Sequence, residues 1–182
     1  MDASAAVTGP ARGAAGAVAL PAAFERLFLR EYRRVAAIAY RVLGDAAEAE
    51  DVAQEAFVAF YRRHDPDASY APAWLHAAAA HGALNVIRGR QRRDRRATAA
   101  ARDADRVTDP EAEALAAESR REVRDALARL PQATAALLAL RYSGLSYAEV
   151  ATALGIPVDQ VGTRLRRAQE AFRKEVLHGQ ER

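Results

Sequence analysis

The stretch SYAEVATALGIPVDQVGTRLRRA, residues 146–168, decides the fold of the C-terminal half. Ser146 followed three residues later by Glu149 forms a capping box, which starts a helix. Val150, Ala151 and Leu154 fall on one face of that helix. Gly155 then supplies the left-handed backbone that a sharp interhelix turn needs, and Ile156 fills the angle. In the second helix Val161, Leu165, Ala168 and Phe172 share one face. Gln160, Thr163, Arg164 and Arg167 share the other, and Arg166 adds a cation. Such a helix can pack on one side and meet a DNA major groove on the other, with cations for phosphates and polar groups for base edges. Periodicity alone also admits a plain helical hairpin with a solvated charged face. Asp159 places a negative charge near the groove-facing end. Gly162 inside the helix costs ~1 kcal/mol relative to Ala.

Upstream of the hinge, Pro131 opens a helix through PQATAALLALRY, and RREVRDALARL reads as another. Residues 97–118 are polar, Ala-rich and broken by Pro110. They predict a flexible linker with nascent helix. Before them, residues 21–96 predict a first helical block. Phe24, Leu27, Phe28, Tyr32, Val35, Ile38 and Val42 stand near helical spacing, and Gly44 ends that helix. Asp45 caps the next, with Glu48 as its capping-box partner. That second helix is expected to bury Val52, Ala53, Ala56, Phe57 and Phe60. A third begins near Pro72 and carries Trp74, Leu75, Leu84 and Ile87 into an Arg-rich end. Residues 1–20 and 178–182 are expected to be tails, the first a disordered Ala/Gly segment without the layout of a signal peptide.

Half of the 182 residues are apolar, much of that Ala, and strand formers are sparse. The expected fold is all-α: two small helical domains, at 21–96 and 119–177, joined by a flexible linker. The balance of 27 Lys+Arg against 24 Asp+Glu is mildly basic, and Lys174 is the single lysine. Arg forks suit phosphates and guanine edges, although a GC-rich genome explains Arg and Ala abundance equally well. The chain has no cysteine, which removes disulfides, Cys-based zinc sites and thiol catalysis and fits a cytoplasmic location. No apolar run approaches the ~20 residues of a membrane span. The four His residues pair with no carboxylate at metal spacing, and neither a phosphate-cradling glycine loop nor a nucleophile elbow occurs. No enzyme activity, metal or cofactor is expected.

The segment LPQATAALLALRYSGLSYAEVATALGIPVDQVGTRLRRAQEAFR resembles region 4 of bacterial sigma factors of the extracytoplasmic-function (ECF) group. The similarity is carried by Leu130-Pro131, Leu140-Arg141-Tyr142, the run Gly144 to Ala151, Leu154-Gly155-Ile156 and Arg164 to Ala168. Likewise FERLFLREYRRVAAIAYRVLGDAAEAEDVAQEAFVAFYRR resembles region 2 of the same family, most specifically in GDAAEAEDVAQEAF. Together the two cover residues 22–96 and 120–176. By this resemblance the chain is a transcription initiation factor. It implies that Asp51, Gln54 and Glu55, on one exposed helix face, bind core RNA polymerase at its clamp. Region 4 would bind the minus-thirty-five promoter element through Gln160, Thr163, Arg164, Arg166 and Arg167, and dock on the polymerase flap. Region 2 would melt the minus-ten element.

Melting needs flat faces for unstacked bases and cations along the strand. The candidates are Trp74, His81, Asn85, Arg88 and Arg92, with His76 as a further flat side chain and Arg90, Arg93, Arg95 and Arg96 as further cations. The alternative for Trp74 is a core anchor. The third helix departs most from the family pattern: Ala77 and Ala80 stand where Arg is common, His81 where Asn is common, and Gly82 at a Leu position. Two other readings therefore stay open, a stand-alone helix-turn-helix regulator and a sigma-like adaptor that binds polymerase without opening promoters. An anti-sigma partner is common in the family. No membrane insertion is expected.

Overall fold

The computed structural model describes residues 20–100 and 111–180, without the side chains of 95, 97–100, 111–116 and 180. Seven helices follow in order: α1 (Ala22–Leu43), α2 (Ala46–Arg63), α3 (Ala71–Ala100), α4 (Glu111–Arg129), α5 (Gln132–Tyr142), α6 (Tyr147–Leu154) and α7 (Val158–Gln180). No strand occurs among the described residues. The expected 1–20 tail falls almost wholly outside the described residues, as does the centre of the expected linker. Its flanks are helical: α3 continues to Ala100 and α4 starts at Glu111.

Helices α1, α2 and α3 form the first unit. In α1 the apolar positions recur at helical spacing and bury Phe24, Leu27, Val35, Ile38 and Val42. Gly44 ends the helix in the left-handed region at φ 69° and donates its N–H to the Tyr40 carbonyl. Phe28 and Tyr32, expected in the core, are half-buried and form an aromatic cluster with Phe57. The position between them on the buried face is Glu31, whose carboxylate meets Nε2 of the buried His76 at 3.1 Å. In α2, Val52, Ala53, Ala56, Phe57 and Phe60 are buried as the pattern predicts. Only half of the expected capping box forms. Asp45 accepts from the Glu48 N–H, while the Glu48 carboxylate pairs with Arg90 of α3.

Helices α4 to α7 form the second unit around Leu127, Leu130, Leu137, Leu140, Leu145, Val150, Val161 and Leu165. The complete Ser146–Glu149 capping box is present, and Gly155 adopts φ 63°. The two units do not stand apart. Helix α3 packs against α1 and α2 on one side and against α4, α5 and α6 on the other, so the buried residues of both halves form one continuous apolar cluster.

Close approach, rather than backbone conformation, explains Gly82 in the middle of α3. A Cβ there would lie 2.9 Å from Cγ1 of Val52, a buried side chain of α2. Gly162 is different: a Cβ would meet Tyr147 at 3.5 Å, an ordinary contact. Ala is the better helix former by about 1 kcal/mol, so Gly162→Ala should raise the thermal unfolding midpoint. Gly82→Ala should lower it through overpacking, and the sign should reverse in a Val52→Ala background. A rise at both glycines in the wild-type background would contradict the tight α2–α3 approach.

Candidate polymerase and nucleic-acid interfaces

Three surfaces carry the expected functional residues. On α2, Asp51, Gln54 and Glu55 are all exposed, as helical spacing requires. With Val58, Ala59 and Arg62 they line one shallow depression of about 460 Å³. Val58 and Arg62 were outside the expected set. They continue the same face at i+3 and i+4 from Gln54, Glu55 and Val58, a signal that the acidic run obscured. The face is therefore acidic at one end, apolar in the middle and basic at the other.

On α7, Val161, Leu165 and Ala168 face inward, and Phe172 is half-buried. Gln160, Thr163, Arg164, Arg166 and Arg167 are exposed. Gln160 accepts two hydrogen bonds from the Arg164 guanidinium, at 2.7 and 3.2 Å. The bonds orient the Arg164 guanidinium within the second turn of α7. The hinge positions this helix: Gly155 turns the chain, Ile156 is half-buried in the angle, and the Arg141 guanidinium lies 5.6 Å from the Tyr147 ring centre beneath α6.

The third surface, on α3, is less open. Trp74 is half-buried, edge-on to Phe60 and 4.7 Å from the His64 ring, which places it as an anchor between α2 and α3. His76 is buried. Burial pushes its imidazole below the ordinary value, and this outweighs the Glu31 hydrogen bond that pulls the other way. The neutral ring with its proton on Nε2 donates to Glu31, leaving no flat face for a base. His81 is half-buried in a cleft between α3 and the second unit. Burial, and then the nearby Arg88, hold it below its ordinary pKa too. Arg88 donates to the Ala128 and Leu130 carbonyls at 3.3 and 2.8 Å, at the C-terminal end of α4. Asn85 and Arg92 are exposed. Of the further cations, Arg90 is paired with Glu48, and Arg93 and Arg96 are exposed. The side chain of Arg95 lies outside the described residues. Among the described residues no group of His, Asp or Glu is placed to hold a metal ion, and no helix is long and apolar enough to cross a membrane.

Comparison with known proteins assigns both units. The Sigma-70 region 2 family matches residues 27–93 and the Sigma-70 region 4 family matches residues 120–171. The RNA polymerase sigma-H factor of Pseudomonas aeruginosa is 34% identical over 166 residues, covering 84% of this chain and 85% of that protein. The chain belongs to the ECF sigma factor family. The ECF sigma-E factor of Escherichia coli is 30% identical, over 85% of this chain and 86% of its own. Among solved structures, CnrH in complex with the cytosolic domain of CnrY has a like fold, at TM-score 0.53 and 22% identity, covering 83% of this chain and 85% of that one. The open face of α2 and the exposed face of α7 thus lie in regions 2 and 4 of this sigma factor, in family order.

One carboxylate in region 4 carries a clear electrostatic signature. Glu149 accepts from the Ser146 N–H and hydroxyl and from Arg34 of α1. These bonds, the Ser146 backbone bond foremost, lower its pKa from 4.5 to about 2. A depressed carboxylate stabilises the fold fully above its unfolded pKa and loses that contribution as pH falls toward the folded one. The stability gap between wild type and Glu149→Gln should therefore be full above about pH 5 and shrink toward about pH 2. Urea midpoints measured across this window test it. A gap independent of pH would remove the carboxylate from the cap.

Proposed function

We propose a division of labour for this promoter-directing transcription initiation factor. Region 2, at 21–96, grips core RNA polymerase through the α2 face. Region 4, at 119–177, reads the minus-thirty-five element through α7 and docks on the flap. The carrying observation is that the two chemically distinct open faces, acidic-apolar on α2 and basic on α7, lie in the two family regions in family order. Asp51, Gln54 and Glu55 suit a basic clamp surface. We add Val58 as the apolar centre of that contact and Arg62 as its cationic end. Arg164 and Gln160 supply base-edge donors, with Arg166, Arg167 and Thr163 on phosphates. Asn85 and Arg92 are the minus-ten residues that stand open for the displaced strand. Trp74, His81 and Arg88 would need α3 to change its surroundings first. An anti-sigma partner and a cytoplasmic location belong to the same proposal. The role is a binding one, and no catalytic residue, cofactor or metal takes part in it.

One observation favours a second reading, an adaptor that binds polymerase without opening promoters. His76 is buried, Arg88 is engaged, and Ala77 and Ala80 offer no cation. Run-off transcription with core polymerase on genomic fragments separates the two. Start sites sharing two upstream elements support the initiation factor, and polymerase binding without transcripts supports the adaptor.

Reversing Asp51 and Glu55 to Lys is expected to weaken core polymerase binding by at least about 100-fold, through like charge at the contact, with helix content unchanged by circular dichroism. Retained affinity would move the polymerase contact off α2. Arg164→Ala with Arg167→Ala should lower promoter affinity and reduce the slope of log affinity against log salt by about 1 to 2. An unchanged slope would take both arginines off the DNA.

A further inference from the structure

Outside the three surfaces described above, a groove lies where the end of α1 meets α4, α5 and α7. It is built from two depressions. The larger, of about 330 Å³, is walled by Val42, Val123, Leu127, Leu138 and Phe172, with Arg41 beside them. The smaller, of about 140 Å³, shares Arg41, Val42 and Val123 with the first and adds Ser119, Arg120 and Arg124. Helical spacing sets up this contrast on α4. Val123 and Leu127 make an apolar row, and Arg120 and Arg124 make a cationic row next to it. The groove therefore has an apolar end and a cationic end.

The cationic end lacks counter-charge. Among the described residues, none of Arg41, Arg120 and Arg124 forms an ion pair. Arg41 and Arg120 are exposed, and Arg124 is half-buried. Burial foremost, and then the charge of Arg90, hold the Arg124 guanidinium below its ordinary pKa. Arg120 and Arg121 act in the same direction, and Asp125 opposes them. Cations gathered at a concave surface without acids between them attract anions. Guanidinium forks match phosphate oxygens, and the exposed Ser119 hydroxyl adds a donor.

The apolar end calls for more than a bare anion. Val123 stays 40% exposed above buried Val42 and Leu127, so a hydrocarbon laid there would leave water. A helix with its side chains is ~10 Å or more across, too wide for this depression. The volume falls at the small end of the roughly 300–1,000 Å³ typical of small-molecule sites.

We propose that the groove binds a single-chain amphiphile with a phosphate head, its alkyl chain between α1, α4, α5 and α7 and its phosphate among Arg41, Arg120 and Arg124. A phosphate monoester suits the site better than a carboxylate, because its second charge and third oxygen let it face three guanidinia at once.

Calorimetric titration of the full chain with decyl phosphate, below its micelle concentration, tests this. One molecule should bind per chain. Octyl phosphate should bind about tenfold more weakly, since each CH2 withdrawn from water is worth about fourfold. Decanoate should also bind more weakly, and octanol and inorganic phosphate should give no measurable binding at the same concentrations. Arg41→Ala with Arg120→Ala should lower the affinity for decyl phosphate by about tenfold or more, while the same pair changed to Lys should retain most of it. Val123→Trp, which fills the apolar end from a partly exposed position, should abolish binding, with circular dichroism melts confirming that the variants fold. Unchanged affinity in the Ala pair, several molecules per chain, or octanol binding as well as octyl phosphate would overturn the site. Equal binding by decanoate would overturn the phosphate head, and equal binding by inorganic phosphate the alkyl chain. No binding of decyl phosphate would overturn the proposal and leave the groove to an acidic segment of a protein partner.

Discussion

Everything in this fold depends on α3 being buried on two sides at once. Its first side completes the three-helix core with α1 and α2, and its second receives α4, α5 and α6. A helix so enclosed must be slim where it is crossed. The sequence meets that need with Ala79, Ala80 and Ala83, all fully buried, and with Gly82 against Val52. Small residues bury little area each. The large side chains that hold the structure therefore come from the partners: Leu27, Ile38 and Phe60 on one side, Leu137 and Leu140 on the other.

How much of this was legible in the sequence follows from how local each signal is. The capping box at Ser146, the glycine turns at 44 and 155 and the buried faces of α1, α2 and α7 depend on neighbours within a turn or two. They appear where the pattern places them. The residues expected in linker 97–118 that lie within α3 and α4 were hidden because an Ala-rich polar segment has helix propensity but no apolar stripe. The closure of the two units was illegible for another reason. It joins residues more than 30 positions apart, and its face on α3 mixes alanine with His81, Leu84, Arg88 and Gln91, a combination with no distinctive pattern of its own.

The candidate sites divide the same way. Asp51, Gln54, Glu55 and the polar face of α7 follow from helical spacing and are exposed. Val58 and Arg62 extend the first of these and could have been found by following the face one more turn. The aromatic and cationic positions of α3 were read from side-chain chemistry, which says nothing of what packs on them. Trp74 is an anchor, His76 is locked to Glu31, and Arg88 serves a helix end. The departures at 77, 80 and 82 look like weakened function when read against the family. In three dimensions Ala80 is fully buried and Gly82 lies against Val52, so two of the three are small where the helix is tightly packed.

The carboxylate of Glu149 divides its two oxygens between different tasks. Oε1 reaches across to Arg34 of α1, and Oε2 holds the Ser146 N–H and hydroxyl within its own helix. The bridge between halves and the cap of α6 therefore share a residue without sharing an atom. Parting the halves releases Oε1 to solvent and leaves the start of α6 intact. The cap that starts α6, and with it the angle set at Gly155, is therefore held by bonds internal to region 4 and owes nothing to α1.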